Sequence, residues 1–140
     1  MQALFPFHLA FFVHDLDQAR AFYSGVLGFA EGRSTEHWVD FDCQGHQLSL
    51  HLKANLVPTS GSGTVDGNAV PIPHFGIVLD MPHWNALAER ARSAGVNFVV
   101  EPQVRFLGQP GEQSTMFFLD PSGNALEFKG LAALNRLFAI

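Results

Sequence analysis

The sequence predicts an α+β fold of two βαβββ modules, their strands forming a mixed half-barrel sheet with the helices outside. Three observations predict it. A short apolar run followed by a capped amphipathic helix occurs twice, and three strand-length segments follow each helix. The halves also align residue by residue, with FDCQGHQLSL (41–50) matching LDPSGNALEF (119–128). The alignment pairs Asp42 with Asp120, Gly45 with Gly123, Leu48 with Leu126 and Ser49 with Glu127. A repeat of roughly 65 residues exceeds the solenoid periods of about 20 to 50, which favours two pseudo-symmetric modules over a stacked array.

The first module is expected over residues 1–55. FHLAFFV (7–13) is an apolar run of strand length. Asp15 is placed to cap a helix, with Gln18 three residues on in a capping-box arrangement. Leu16, Ala19, Phe22, Tyr23, Val26 and Leu27 recur on one helical face, and Gly28 is a left-handed stop. Strands follow near 30–35, 37–42 and 47–53, with Gly45 turning the last two. Residues 56–73 are read as a linker dense in Gly and Pro. The segment 54–73 exceeds the ~12 to 15 residues usual for unstructured connections, so a flexible lid or linker is expected there.

The second module, 74–140, opens on the strand HFGIVL (74–79). Its helix has Pro82 in the first turn, Trp84, Leu87, Ala88 and Ala91 as the apolar stripe, and Gly95 at the end. Strands are expected near 97–101, 115–120 and 124–129. The tail LAALNRLFAI (131–140) carries enough apolar surface to cover a pocket edge or a second subunit.

Composition bounds the function. At 140 residues, 47% of them hydrophobic, the chain can bury one sizeable core. Eight Lys and Arg against 13 Asp and Glu give a formal charge of -5, without the basic footprint that nucleic acid requires. Cys43 is the sole cysteine, which excludes an intramolecular disulfide and suits a reducing compartment. The N-terminal stretch MQALFPFHLAFFV lacks a cationic start and a small-residue cleavage pattern, and no apolar run approaches the ~20 residues of a membrane helix. A cytoplasmic protein with a small-molecule substrate, and with neither nucleic acid nor membrane as partner, is expected.

Strand alternation indicates the inward side chains. His8, Ala10 and Phe12 share one face, as do His74, Gly76 and Val78. Ala10 and Gly76 are small, so open volume is expected beside each imidazole. On the last strand Leu126 and Phe128 face a helix layer, which puts Glu127 with Ala125 and Lys129 on the other side. A buried carboxylate needs a partner. Two histidines and one carboxylate around a divalent cation leave positions open for substrate, a set that favours Fe(II) with Mn, Ni, Co or Zn as competitors.

FHLAFFVHDLDQARAFYSGVLGF, PHFGIVLD and MFFLDPSGNALEFK together resemble the vicinal oxygen chelate superfamily, which includes glyoxalase I, bleomycin-resistance proteins, fosfomycin-resistance enzymes, methylmalonyl-CoA epimerase and extradiol dioxygenases. The resemblance covers nearly the whole chain. It implies paired βαβββ modules around a divalent metal, commonly in a homodimer, with His8, His74 and Glu127 as ligands. The family's fourth ligand position falls on Ser49, a poor donor. The remaining triad resembles that of extradiol dioxygenases, so a ring-cleaving dioxygenase is the first reading. The functional tyrosine found in extradiol and fosfomycin enzymes ten residues before the metal glutamate is Phe117 here, and the fosfomycin enzymes' threonine is Ala10. Glyoxalase- or epimerase-type lyase or isomerase chemistry through an enolate is the alternative, and drug sequestration a third.

With that tyrosine absent, His51 is the candidate proton carrier, or alternatively a fourth ligand, because it lies two residues beyond Ser49 on one strand face and imidazole changes charge near neutral pH. Gln47 shares that face and joins Ser49 and Phe117 as a substrate-binding candidate. Arg105, in the loop EPQVRFLGQPGEQ, is placed to clamp a substrate carboxylate. His14, His37, His46 and His83 are expected at the surface, and Cys43 has no adjacent base to make it a nucleophile.

Overall fold

In a computed structural model, the structure describes residues 5–57, 61–65 and 68–140. Part of the expected linker, 58–60 and 66–67, lies outside the described residues. The chain divides into two compact units, Met1–Pro58 and Thr59–Ile140, each built on a four-stranded mixed sheet. Among the described residues no helix is long and apolar enough to cross a membrane.

In the first unit β1 (His8–Val13) is followed by α1 (Leu16–Arg20), β2 (Ala30–Ser34), β3 (Trp38–Cys43) and β4 (His46–Leu52). The sheet order is β1-β4-β3-β2, with β1 parallel to β4 and the other pairs antiparallel. Parallel pairing needs a long crossover, which the helix and two intervening strands supply. Asp15 caps α1 as expected, its Oδ1 accepting from the Gln18 amide at 2.9 Å. The helix expected to reach Gly28 changes character at Ala21. Ala21–Val26 is π-helical, and the Leu27 amide donates to the Phe22 carbonyl five residues back at 3.0 Å. The wider turn lets Phe22 and Tyr23, adjacent in sequence, both enter the core, with ring centroids 4.9 Å apart and edge to face. Leu48, Leu50, Val39, Phe41 and Val13 complete that core.

The second unit repeats the topology with β7 (Val78–Asp80), α2 (Met81–Ala94), β8 (Asn97–Arg105), β9 (Gln113–Leu119) and β10 (Ala125–Leu131), ordered β7-β10-β9-β8. Asp80 caps α2 by accepting from the His83 amide at 3.0 Å, and Gly95 ends the helix at φ 68°. Trp84 Nε1 donates to the Phe128 carbonyl at 2.9 Å, which pins the helix to β10.

Four expectations need correction. The strand over 74–79 is regular only at 78–80, preceded by a single bridge from Phe75 to Leu126. Gly76 does not leave open volume: a Cβ there would lie 1.5 Å from the Glu127 carbonyl oxygen, so the two backbones already touch. The strand expected to stop near 101 runs to Arg105, which places Arg105 at a strand end and not in a loop. Within the linker, β5 (Gly61–Val65) and β6 (Asn68–Ile72) pair as an antiparallel hairpin. Val70 of that hairpin is buried with Val100 and Phe117.

Candidate functional site

The sequence-singled residues fall into two groups, one on each unit. In the second unit the LDPSGN turn sets the geometry. Asp120 is buried and accepts from the Ser122 and Asn124 amides at 2.9 and 2.8 Å and from Asn124 Nδ2 at 2.9 Å. That turn fixes the β9–β10 register, which sets Glu127 opposite Phe117. Glu127 is 7% exposed. Its Oε2 accepts from Thr115 Oγ1 at 2.5 Å and lies 3.7 Å from the Arg105 guanidinium. Its Oε1 lies 3.4 Å from His74 Nε2.

The His74 ring is oriented from behind. Its Nδ1 is 2.7 Å from the Pro71 carbonyl, and because a carbonyl only accepts, Nδ1 donates. In the neutral ring Nε2 is then an acceptor facing another acceptor. A proton on Nε2, making His74 and Glu127 an ion pair, or a bound cation would each satisfy the two atoms 3.4 Å apart. Ligands bound at about 2.1 Å are about 3.0 Å apart at right angles and about 3.4 Å apart at a tetrahedral angle, so this pair has the spacing to supply two corners of one divalent ion. Phe117 packs edge to face on the His74 ring at 4.8 Å and is fully buried, offering no hydroxyl.

In the first unit His8, Ala10 and Phe12 share a sheet face with Gln47, Ser49 and His51 and, one strand further, with Trp38 and Asp40. Phe12 and His51 are exposed on it; Ser49 and Asp40 are buried. His8 Nδ1 is 2.8 Å from Gln47 Oε1, Gln47 Nε2 donates to Asp40 Oδ2 at 3.2 Å, and Ser49 Oγ donates to Asp40 Oδ1 at 2.6 Å. Ser49, at the position equivalent to Glu127, is thus engaged with a carboxylate. An open cleft of about 450 Å³ in this unit is lined by Pro6, Arg33, Asp40, Asp42, His46 and Gln47.

The structure therefore brings His74 and Glu127 together, while His8 stands on the first unit beside Gln47. Among the described residues no group of three or more His, Cys, Asp and Glu is gathered to hold a metal. Arg105 is not the exposed clamp expected: it is 2% exposed, and its guanidinium lies by Glu127 and 5.7 Å from the Phe117 ring centre. The open cleft carries Arg33 instead. Cys43 is buried, and burial, with Asp42 adding to it, pushes its thiol up to about 11, the opposite of an activated nucleophile. His83 is exposed and serves the α2 cap, and its amide and ring together hold the Asp80 carboxyl below its usual range.

Sequence reasoning missed Asp40, Thr115 and the Pro71 carbonyl. Alternation along WVDFDC puts Asp40 on the polar face, a signal that was present. The Gly45 turn already made β3 and β4 neighbours; that β1 lies on the other side of β4, which brings His8 beside Gln47, was not legible, since parallel pairing depends on the crossover.

A model of the Glyoxalase/Bleomycin resistance protein/Dioxygenase superfamily matches residues 6–128. Among solved structures, a glyoxalase/bleomycin resistance protein/dioxygenase from Alicyclobacillus acidocaldarius is similar at 33% identity and TM-score 0.78, with 95% of each chain covered. The fosfomycin resistance protein FosX from Listeria monocytogenes shares the fold at 17% identity and TM-score 0.72, covering 99% of each chain. Lactoylglutathione lyase from Agrobacterium tumefaciens does so at 20% identity and TM-score 0.66, covering 96% of each. No curated protein matches. The repeated βαβββ topology, the turn that sets Glu127 and these likenesses agree, and the chain belongs to the glyoxalase/bleomycin resistance protein/dioxygenase superfamily.

Proposed function

We propose that the chain is a metal-dependent enzyme in which His8, His74 and Glu127 hold a divalent cation, Fe(II) ahead of Mn, Ni, Co or Zn, and that it cleaves the ring of a small aromatic diol in the extradiol manner. The observation that carries the reading is the pair of opposed lone-pair donors, His74 Nε2 and Glu127 Oε1, 3.4 Å apart. With His8 added, two imidazoles and one carboxylate leave coordination positions open, the donor set of non-haem iron oxygenases. When bound, the ion supplies a Lewis acid and an electron path between diol and dioxygen.

The chain's own residues do the rest. Thr115 and Arg105 hold Oε2 of Glu127, which leaves Oε1 for the cation. Buried Phe117 keeps water from the inner side of His74. Gln47 and Ser49 line the substrate side in the first unit. His51, exposed on their strand face, takes and returns the diol proton. A second copy of the chain is the proposed partner, with Phe138 and Ile140 of the exposed tail as its contact surface. The lone buried thiol accords with a cytoplasmic setting.

Lyase or isomerase chemistry is the second reading. It is favoured by Phe117, a hydroxyl-free ring where ring-cleaving relatives commonly place a tyrosine. The deciding experiment loads anaerobically purified protein with Fe(II) and follows oxygen uptake over a panel of catechols. Oxygen uptake with a yellow ring-opened product is expected, lost in His51→Ala with metal retained. Bound metal without oxygen uptake would instead indicate the lyase or isomerase, and absence of metal a sequestering protein.

A further inference from the structure

Each histidine of the proposed cation site needs an acceptor behind it, and the two solve this differently. His74 uses the Pro71 carbonyl, which cannot turn around. His8 uses Gln47, whose carboxamide presents either an acceptor or a donor depending on a flip of its end. Left alone, Gln47 would not select a tautomer. Asp40 removes the ambiguity.

Three hydrogen bonds converge on Asp40, that between His8 and Gln47 through the Gln47 carboxamide. A carboxylate only accepts, so the Gln47 group 3.2 Å from Asp40 Oδ2 is its NH₂. Its Oε1 therefore faces His8 at 2.8 Å, and His8 Nδ1 must donate. Asp40 Oδ1 accepts a hydrogen bond from the Ser49 hydroxyl at 2.6 Å, so both carboxylate oxygens are engaged. Asp40 is 7% exposed, on a sheet face where Gln47, His51 and Ala10 are exposed. A carboxylate buried there, with its two oxygens committed to strand β4, has a defined local task.

We propose that Asp40 is a positioning residue for His8: through Gln47 it holds the ring with Nδ1 protonated and Nε2 bare, the form in which imidazole ligates a cation. This rests on the reading of His8 as a ligand, but the tautomer itself can be measured without any metal. Outer partners of ligating histidines fix ring orientation and tautomer, and their loss costs about 10- to 100-fold in metal affinity.

The test uses the ¹⁵N-labelled full chain, metal-free, at a pH where the ring is neutral, with long-range ¹H–¹⁵N correlation reporting the His8 tautomer. Wild type is expected to show the Nδ1–H form. In Asp40→Asn the new carboxamide donates as well as accepts, Gln47 is free to flip, and His8 shifts toward Nε2–H. The double variant Asp40→Asn with Gln47→Glu should restore Nδ1–H, because the carboxylate now at position 47 accepts from both the ring and the carboxamide at position 40. Co(II) titration, read by its visible absorption, is expected to weaken about 10- to 100-fold in Asp40→Asn and to recover in the double variant. An unchanged tautomer in Asp40→Asn overturns the proposal whatever cobalt does. A tautomer that switches and is rescued, in a wild-type protein that takes up no cobalt, overturns the metal reading and leaves the action of Asp40 on His8 standing.

Discussion

Arg105 shows how burial changes what a charge can do. A guanidinium 2% exposed and 3.7 Å from a carboxylate 7% exposed is a buried pair. Removing one member leaves the other without its counter-charge, at a cost of about 3–5 kcal/mol. Arg105→Met should therefore lower stability by about that amount in urea unfolding, whereas a solvated loop arginine would cost under about 0.5 kcal/mol. Cys43 gives a second test at this scale. Its thiol is raised by burial from 9.0 to about 11, so the folded chain keeps the proton in a range where the unfolded chain releases it. The stability tied to that proton is present below pH 9.0 and is lost as pH rises toward 11. Below pH 9 the native protein should react with thiol reagents far more slowly than in denaturant.

At the scale of elements, the contact of Gly76 with β10 is the tightest constraint around Glu127. A Cβ at Gly76 would fall 1.5 Å from the Glu127 carbonyl oxygen, and that obstacle is backbone. Gly76→Ala should cost at least about 3 kcal/mol, while Gly25→Ala, with nothing within 4 Å of the added methyl, should be close to neutral in the same thermal melts. This contact also marks where the sequence stopped being legible. Both helices could be read from their caps, Asp15 and Gly95 among them, because capping is local. The central strands β3, β4, β9 and β10 followed from alternation and their turns. What could not be read depends on distant partners. Gly76 looked like pocket space until its neighbour across the sheet was known, Arg105 looked like loop until β8 continued past Glu101, and the linker concealed a hairpin whose Val70 packs on Phe117. The π-helical turn at 21–26 likewise follows from burying Phe22 and Tyr23 together, a demand of packing.

At the scale of the whole molecule, duplication of one βαβββ unit has yielded two sheets with equivalent central strands and different chemistry on them. Glu127 on β10 is matched by Ser49 on β4, and the carboxylate absent from Ser49 is found next door as Asp40, hydrogen-bonded to it at 2.6 Å. The first unit therefore brings one histidine and a polar wire, the second a histidine and a carboxylate. Under the proposed function His8, His74 and Glu127 are the three donors, which leaves positions open on the ion. Metal content is the most direct measure of that account: protein purified without oxygen, loaded with Fe(II) or Co(II) and dialysed, then assayed for metal per chain in wild type and in His8→Ala, His74→Ala and Glu127→Ala. The account predicts about one ion per chain in wild type and a large loss in each variant. Wild-type protein that keeps no stoichiometric ion, or variants that keep it undiminished, would contradict it.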